Sequence, residues 1–208
     1  MKTQNRPRAK ESNTQRRMRK QLLEAAARLL KKDHAPSMDD VAQEAMVSRA
    51  TVYRYFPTID ALLAEAPVDE AVQGADEFFE TDPSRDPVAR LDRAEAMLHA
   101  VCYRNQGPLR AMLAASLQRS IGPRESGVPI RQNRRTGLIE AAVAPARGSL
   151  SDTAYSRLRA ALSLVFGTES MVVFTDILGI GEKEARHIKK WMIAALVDAA
   201  LRDSGGKV

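Results

Sequence analysis

The sequence predicts an all-α protein: an N-terminal three-helix domain of helix-turn-helix type followed by a larger helical domain, about nine helices in all. Three observations carry this expectation. Apolar residues recur at spacings of three and four in nearly every segment between the Pro- and Gly-rich breaks. No stretch alternates convincingly enough to be a strand, and there is no internal repeat. Near the start of the chain, two short helical patterns are separated by only three residues, the spacing of a helix-turn-helix. With 208 residues, 44% hydrophobic and 28% charged, the chain is long enough for a real core and ordinary for a soluble protein.

Residues 1–14 are polar, without hydrophobic period, and are expected to form a disordered basic arm. Residues 1–20 hold Lys2, Arg6, Arg8, Lys10, Arg16, Arg17, Arg19 and Lys20 against Glu11, a net +7; the total is +6, so the other 188 residues carry −1. The basic character therefore belongs to the arm and not to the body. Such an arm suits a polyanion, with Arg16 and Arg17 as DNA-contact candidates at its base; a solubilising tail is the other reading.

From Arg16 onward, Leu22, Leu23, Ala26, Leu29 and Leu30 define a helix expected to end near His34-Ala35-Pro36. Ser37-x-x-Asp40 starts the second helix like a capping box, with Asp where Glu or Gln is usual. Met38, Val41, Ala42 and Ala45 continue it, and Ala45-Met46-Val47 breaks it. Ser48 then caps a third helix by accepting from the amide near Thr51. That helix stops before Pro57, because the residue before a proline disfavours the helical region. Thr58 or Asp60 opens a fourth, with Ala61, Leu62 and Leu63, in which Pro67 is a kink or a break. "TDPSRDP" at 81–87 is a loop. Further helices are expected at about 87–105, 108–120, 130–145, 151–178 and 182–203.

The third helix has an unusual surface. In "VSRATVYRYFPT", 47–58, Val47, Val52 and Phe56 form an inner face. Arg49, Thr51, Tyr53, Arg54 and Tyr55 supply guanidinium, hydroxyl and phenol groups outside it. In a helix-turn-helix this second helix lies in the DNA major groove. Arginine pairs bidentately with guanine, and a threonine methyl meets that of thymine. Tyrosine hydroxyls bond phosphates and set the register, while their rings pack beside the core.

Residues 19–63 resemble the TetR family of bacterial transcriptional regulators. "LLEAAARLL" followed by "SMDDVAQEAMVSRATVYRYFPTIDALL" matches that family's small-plus-leucine helix, Ser/Thr start, "VA", "VS", Y-x-Y-F and "ALL". The resemblance implies that Ser37 bonds a phosphate, that Arg49 and Thr51 face bases, and that Tyr53 and Tyr55 bond phosphates. Arg54 would flank them, with Ser48 at the start of the helix among the contacts, and Phe56 would be core. Three departures stand out. Met46 occupies a turn position where the family often has glycine, so it must accept a left-handed conformation at about 1 kcal/mol or use another turn. Ile59 replaces the lysine usual after the F-P-T/S stretch. Residues 21–65 carry seven acids against five bases, a net −2. The arm is therefore expected to supply part of the electrostatics that the domain lacks.

The resemblance divides the chain into an arm (1–14), a helix-turn-helix domain (15–63) and a near-neutral ligand-sensing and dimerisation domain (64–208). The segment 151–178 is apolar on most sides, through Leu158, Leu162, Val165, Phe166, Val172, Val173, Phe174, Ile177 and Leu178. Gly167, Ala160, Ala161 and Ser163 would let another helix approach. In 182–203, Ile188, Trp191, Met192, Ala195, Leu196 and Ala199 recur at spacings of three and four. Two such helices per chain can pair as a four-helix homodimer interface, and a roughly palindromic double-stranded DNA operator needs that two-fold symmetry. The alternative is that both helices are buried within their own domain.

A pocket for a small-molecule effector would lie among the helices at 87–120 and 130–178. Its candidate residues are Met97, Tyr103, Arg110, Met112, Arg119 and Glu169, with His99, Gln106, Gln118 and Met171 as further possibilities. Glu169 stands out as an acid in an apolar helix, where a buried charge needs a partner.

His99 and Cys102 stand at i, i+3, but two ligands are too few for a closed zinc site, and Cys102 falls on the core side with Leu91 and Leu98. No metal, cofactor or phosphate-loop motif is present, and no convergent acid, base and nucleophile point to an enzyme. A single cysteine, no signal peptide and no membrane-length apolar run fit a cytoplasmic home. The expected function is a sequence-specific DNA-binding transcriptional regulator, a repressor released by a small molecule. The alternatives are a helical interaction protein whose helix-turn-helix binds a protein partner, and a regulator without a ligand.

Overall fold

Side-chain caps set the starts of several helices in the computed structural model, which describes residues 13–31, 36–71, 74–121 and 133–205. Among these residues there are eleven α-helices and no strand. They are α1 (Asn13–Leu30), α2 (Met38–Glu44), α3 (Arg49–Tyr55), α4 (Ile59–Ala71), α5 (Ala75–Phe79), α6 (Pro87–Arg104), α7 (Gln106–Ile121), α8 (Arg134–Val143), α9 (Asp152–Val165), α10 (Thr168–Val172) and α11 (Glu182–Gly205). A 3-10 turn at 144–149 follows α8, and a π turn at 173–177 extends α10. The first twelve residues, the helix end expected near His34 and most of the loop at 121–129 lie outside the described residues.

The structure refines three expectations. Pro67 neither breaks nor ends α4, which runs through it. A short helix, α5, stands between α4 and the 81–87 loop. The segment 151–178 is not one helix: it bends by 49° at Phe166-Gly167. Gly167 has φ +99, a conformation that side chains resist, and the Arg135 guanidinium covers the place where a Cβ would stand. Arg135 donates to the Ser163 carbonyl oxygen (2.7 Å) and to Glu169 (2.6 Å), so it holds both sides of the bend.

The chain divides into two compact units. The first contains residues 1–70 and 107–132; the second contains 71–106 and 133–208. In the first, α1 packs on α2 and α2 on α3. Leu22, Leu23, Ala26, Val41, Ala42, Val52, Tyr55, Phe56 and Leu62 form its core. Arg19 is also buried here: it donates to Glu65 (2.6 Å) and to the Tyr55 carbonyl oxygen (3.1 Å), and lies over the Phe56 ring.

In the second unit α6 packs against both α8 and α11, and α9 packs against α8 and α11. Leu91, Leu98, Leu138, Ile139, Leu158, Leu162, Phe166, Ile193 and Val197 are buried between them. Arg90 Nε and Nη2 donate to the Ala142 and Ala141 carbonyl oxygens, satisfying acceptors at the end of α8.

Candidate nucleic-acid interface

The helix-turn-helix is built from its caps outward. Ser37 accepts from the Asp40 amide (3.2 Å), while Asp40 accepts from the Ser37 amide (2.8 Å) and hydroxyl (2.7 Å). The expected capping box is therefore complete despite the shorter acid. The turn after α2 is a Schellman-type closure: the Val47 amide donates to Ala42 O (2.9 Å) and the Met46 amide to Gln43 O (3.0 Å). That closure needs a left-handed residue, and Met46 supplies it at φ 54. Its side chain is 88% exposed, so packing does not offset the backbone cost. Gln21 of α1 anchors the turn by donating to Ala45 O (2.8 Å).

Ser48 caps α3, accepting from the Thr51 amide (3.2 Å), and its hydroxyl lies 2.9 Å from that of Thr51. The helix ends at Tyr55, with Phe56 extended before Pro57. Ser37, Ser48, Arg49, Tyr53 and Arg54 are exposed and Thr51 is half-buried. Tyr55 turns inward: it is buried in the core with Val52 and Phe56, so its ring seats the helix and Tyr53 is the tyrosine on the surface. Arg16 and Arg17, on α1, are exposed.

Arg49 is held on both sides. Its Nη2 donates to the Tyr53 hydroxyl (3.3 Å), and its Nη1 is 3.2 Å from Asp39 Oδ2. The Tyr53 hydrogen bond first, and the Asp39 charge second, raise the pKa of this guanidinium. Arg54 extends over the Tyr55 ring. The exposed face of α3 thus offers a fixed arginine fork, a phenol and paired hydroxyls, the group types that meet base edges and phosphates.

The pocket candidates fall in both units. Arg110 and the buried Met112 are in the first. Met97, Tyr103, Glu169 and the buried Met171 are in the second. The Arg119 side chain lies outside the described residues. Glu169 has the partner its charge requires, in Arg135. Tyr103 stacks on His99, with ring centroids 4.4 Å apart. Cys102 is buried and burial pushes its thiol up, so it is not poised as a thiolate. Among the described residues no group of three or more His, Cys, Asp or Glu is placed to hold a metal ion, and no single helix is long and apolar enough to cross a membrane.

Sequence reasoning missed the buried charges Arg19, Arg90, Glu95 and Lys189. For Lys189 a signal existed. It sits four residues from both Ala185 and Ile193, on a second apolar face of α11 opposite the one carrying Trp191.

Comparison with known proteins agrees with this architecture. The family model described as "Bacterial regulatory proteins, tetR family" matches residues 22–66. A solved TetR transcriptional regulator from Rhodococcus sp. RHA1 shares the fold at a TM-score of 0.52 and 20% identity, covering 88% of this chain and 96% of that one. No curated protein matches the sequence. Residues 22–66 therefore carry a DNA-binding helix-turn-helix similar to that of the tetR family of bacterial regulatory proteins, and the chain shares its fold with a TetR transcriptional regulator.

Proposed function

We propose that this regulator is a homodimeric repressor that reads a roughly palindromic operator and is released from it by a small molecule. The observation that carries the DNA half is the outward face of α3, where Arg49 is held by Tyr53 and Asp39. In this reading Arg49 and Thr51 meet bases. Ser37, Ser48, Tyr53 and Arg54 bond phosphates, with Arg16 and Arg17 adding charge from α1. Tyr55 acts mainly through its buried ring.

The dimer half is supported by an apolar surface that none of the described residues covers. On α11 Trp191 is 71% exposed, and Ala195 and Ala199 are exposed on the same stripe, with Ile188, Met192 and Leu196 half-buried. Leu164, Val173, Ile177 and Leu178 are exposed on the preceding helices. A second copy would cover both surfaces, as in a four-helix interface.

Selection from a random duplex pool with the full-length protein tests the DNA reading. A palindromic site is expected, and Arg49→Ala should relax one base position at a cost of about 1–3 kcal/mol. Tyr53→Phe should weaken all sites alike. Salt-sensitive binding with no enriched sequence would overturn the reading.

A further inference from the structure

Buried charges in this chain serve its packing. In the second unit Lys189 Nζ lies 3.0 Å from Glu95 Oε1 and 3.3 Å from His99 Nδ1, and all three residues are buried. An exposed pair on the helix-turn-helix is different. It joins the first turns of α2 and α3: Asp39 Oδ2 lies 3.2 Å from Arg49 Nη1, and the two side chains are 63% and 60% exposed. A pair so exposed contributes little to stability. Its consequence lies in what it does to the outward face of α3.

Asp39 takes no part in the cap of α2. Ser37 and Asp40 make the capping box, and Asp39 meets instead a side chain ten residues further on. The N-terminal end of a helix favours an acid, but that does not draw an arginine from the next helix toward it. The corner that brings the two together is fixed. The Val47 and Met46 amides close it on α2, and Gln21 ties it to α1. Arg49 is then held at both terminal nitrogens, by the Asp39 carboxylate on one and the Tyr53 hydroxyl on the other. Asp39 is the charged half of that hold and so the stronger. Each terminal nitrogen keeps a second N–H and Nε keeps its own, so the fork still presents paired donors.

On a surface that meets DNA this arrangement lowers affinity. A carboxylate among groups that face phosphates repels them, and residues 21–65 already carry a net −2. An unheld arginine in this place can reach the phosphates beside a base as readily as the base, and phosphates carry no sequence. We propose that Asp39 is a positioning residue that sets the selectivity of the DNA-binding surface: it holds the Arg49 guanidinium toward a guanine edge and away from the phosphates. Discrimination is a difference of affinities, so an acid that weakens every complex, and the wrong ones more, is a gain in selectivity. Once DNA excludes water from the pair, the attraction between Asp39 and Arg49 strengthens, and the hold tightens where it is used. Asp39 acts through Arg49 and needs no base contact of its own. The inference rests on the proposed reading of α3 as the helix that reads DNA.

The test is duplex selection with the unmodified full-length protein, followed by affinities for the selected site, its single-base variants and a random duplex. These are measured for the unmodified protein, Asp39→Ala, Asp39→Glu and Asp60→Ala. Asp60, exposed in the first turn of α4, undergoes the same loss of charge without touching Arg49. Asp39→Ala removes only exposed atoms, so it should unfold at the temperature of the unmodified protein. It should lower the preference at the base position that Arg49→Ala relaxes by about three- to tenfold, and at no other position. It should also bind the random duplex about twofold more tightly. Asp39→Glu, which keeps a carboxylate, should retain most of the preference, and Asp60→Ala should retain all of it. In the Arg49→Ala background, Asp39→Ala should change no base preference. An unchanged preference in Asp39→Ala, or equal losses on the selected site and the random duplex, would overturn the inference and leave the DNA reading intact. No enriched sequence for the unmodified protein would overturn both.

Discussion

The Arg19 guanidinium lies 2.6 Å from the Glu65 carboxylate, and both side chains are almost wholly buried. Together with the Tyr55 carbonyl oxygen, this pair ties α1 to α4 and to the end of the recognition helix. Glu65→Leu leaves a guanidinium in the core without its carboxylate and should cost about 3 kcal/mol, since breaking one side of a buried pair exceeds the net worth of the pair. Arg19→Met combined with Glu65→Leu should recover most of that loss. Urea unfolding measures both; a single-variant loss below about 1 kcal/mol would mean that the pair is effectively solvated.

Met46 pays for the left-handed turn with no packing in return. Met46→Gly should therefore stabilise the protein by about 0.5–1 kcal/mol, the relief of backbone strain less the entropy glycine adds to the unfolded chain. Thermal unfolding reads the change, and a lower midpoint would show that the strain is negligible.

His99 makes stability depend on pH. Its folded pKa, about 4, lies below the ordinary value of 6.5, so the folded state resists protonation. Its contribution is complete above pH 6.5 and is lost as pH falls from there toward 4, up to about 3 kcal/mol. Glu95, raised by burial, acts in the opposite sense from its ordinary 4.5 upward. The difference between the unmodified protein and His99→Gln isolates the histidine: the gap in unfolding free energy should change between pH 7 and pH 5. A constant gap would show that His99 titrates normally.

Trp191 stands at the centre of the uncovered stripe on α11. Trp191→Glu would place a charge in the proposed dimer interface and should convert the protein to monomers in sedimentation while leaving its helix content intact. A dimer that survives the change would place the interface elsewhere.

The helices were legible because their signals are local. Ser37 and Ser48 declare their caps, Pro57 ends α3 and the leucine period marks α1, all within a turn or two of chain. Met46 was legible as a conformational demand, since only the turn geometry, and not packing, sets its φ. The bend at Gly167 was not, because an apolar run looks the same whether continuous or broken, and the Arg135 that holds it is distant in sequence.

By itself the sequence determined the all-helical class, the helix-turn-helix and the outward chemistry of Arg49 and Tyr53, because caps, spacing and side-chain type act over a few residues. Only the tertiary structure decided that Tyr55 turns inward, that Arg19 is a core residue and not part of a charged arm, and that Lys189, Glu95 and His99 meet. Each depends on pairing residues far apart in the chain. A buried charge is tolerated only where another element brings its partner, which no local pattern records.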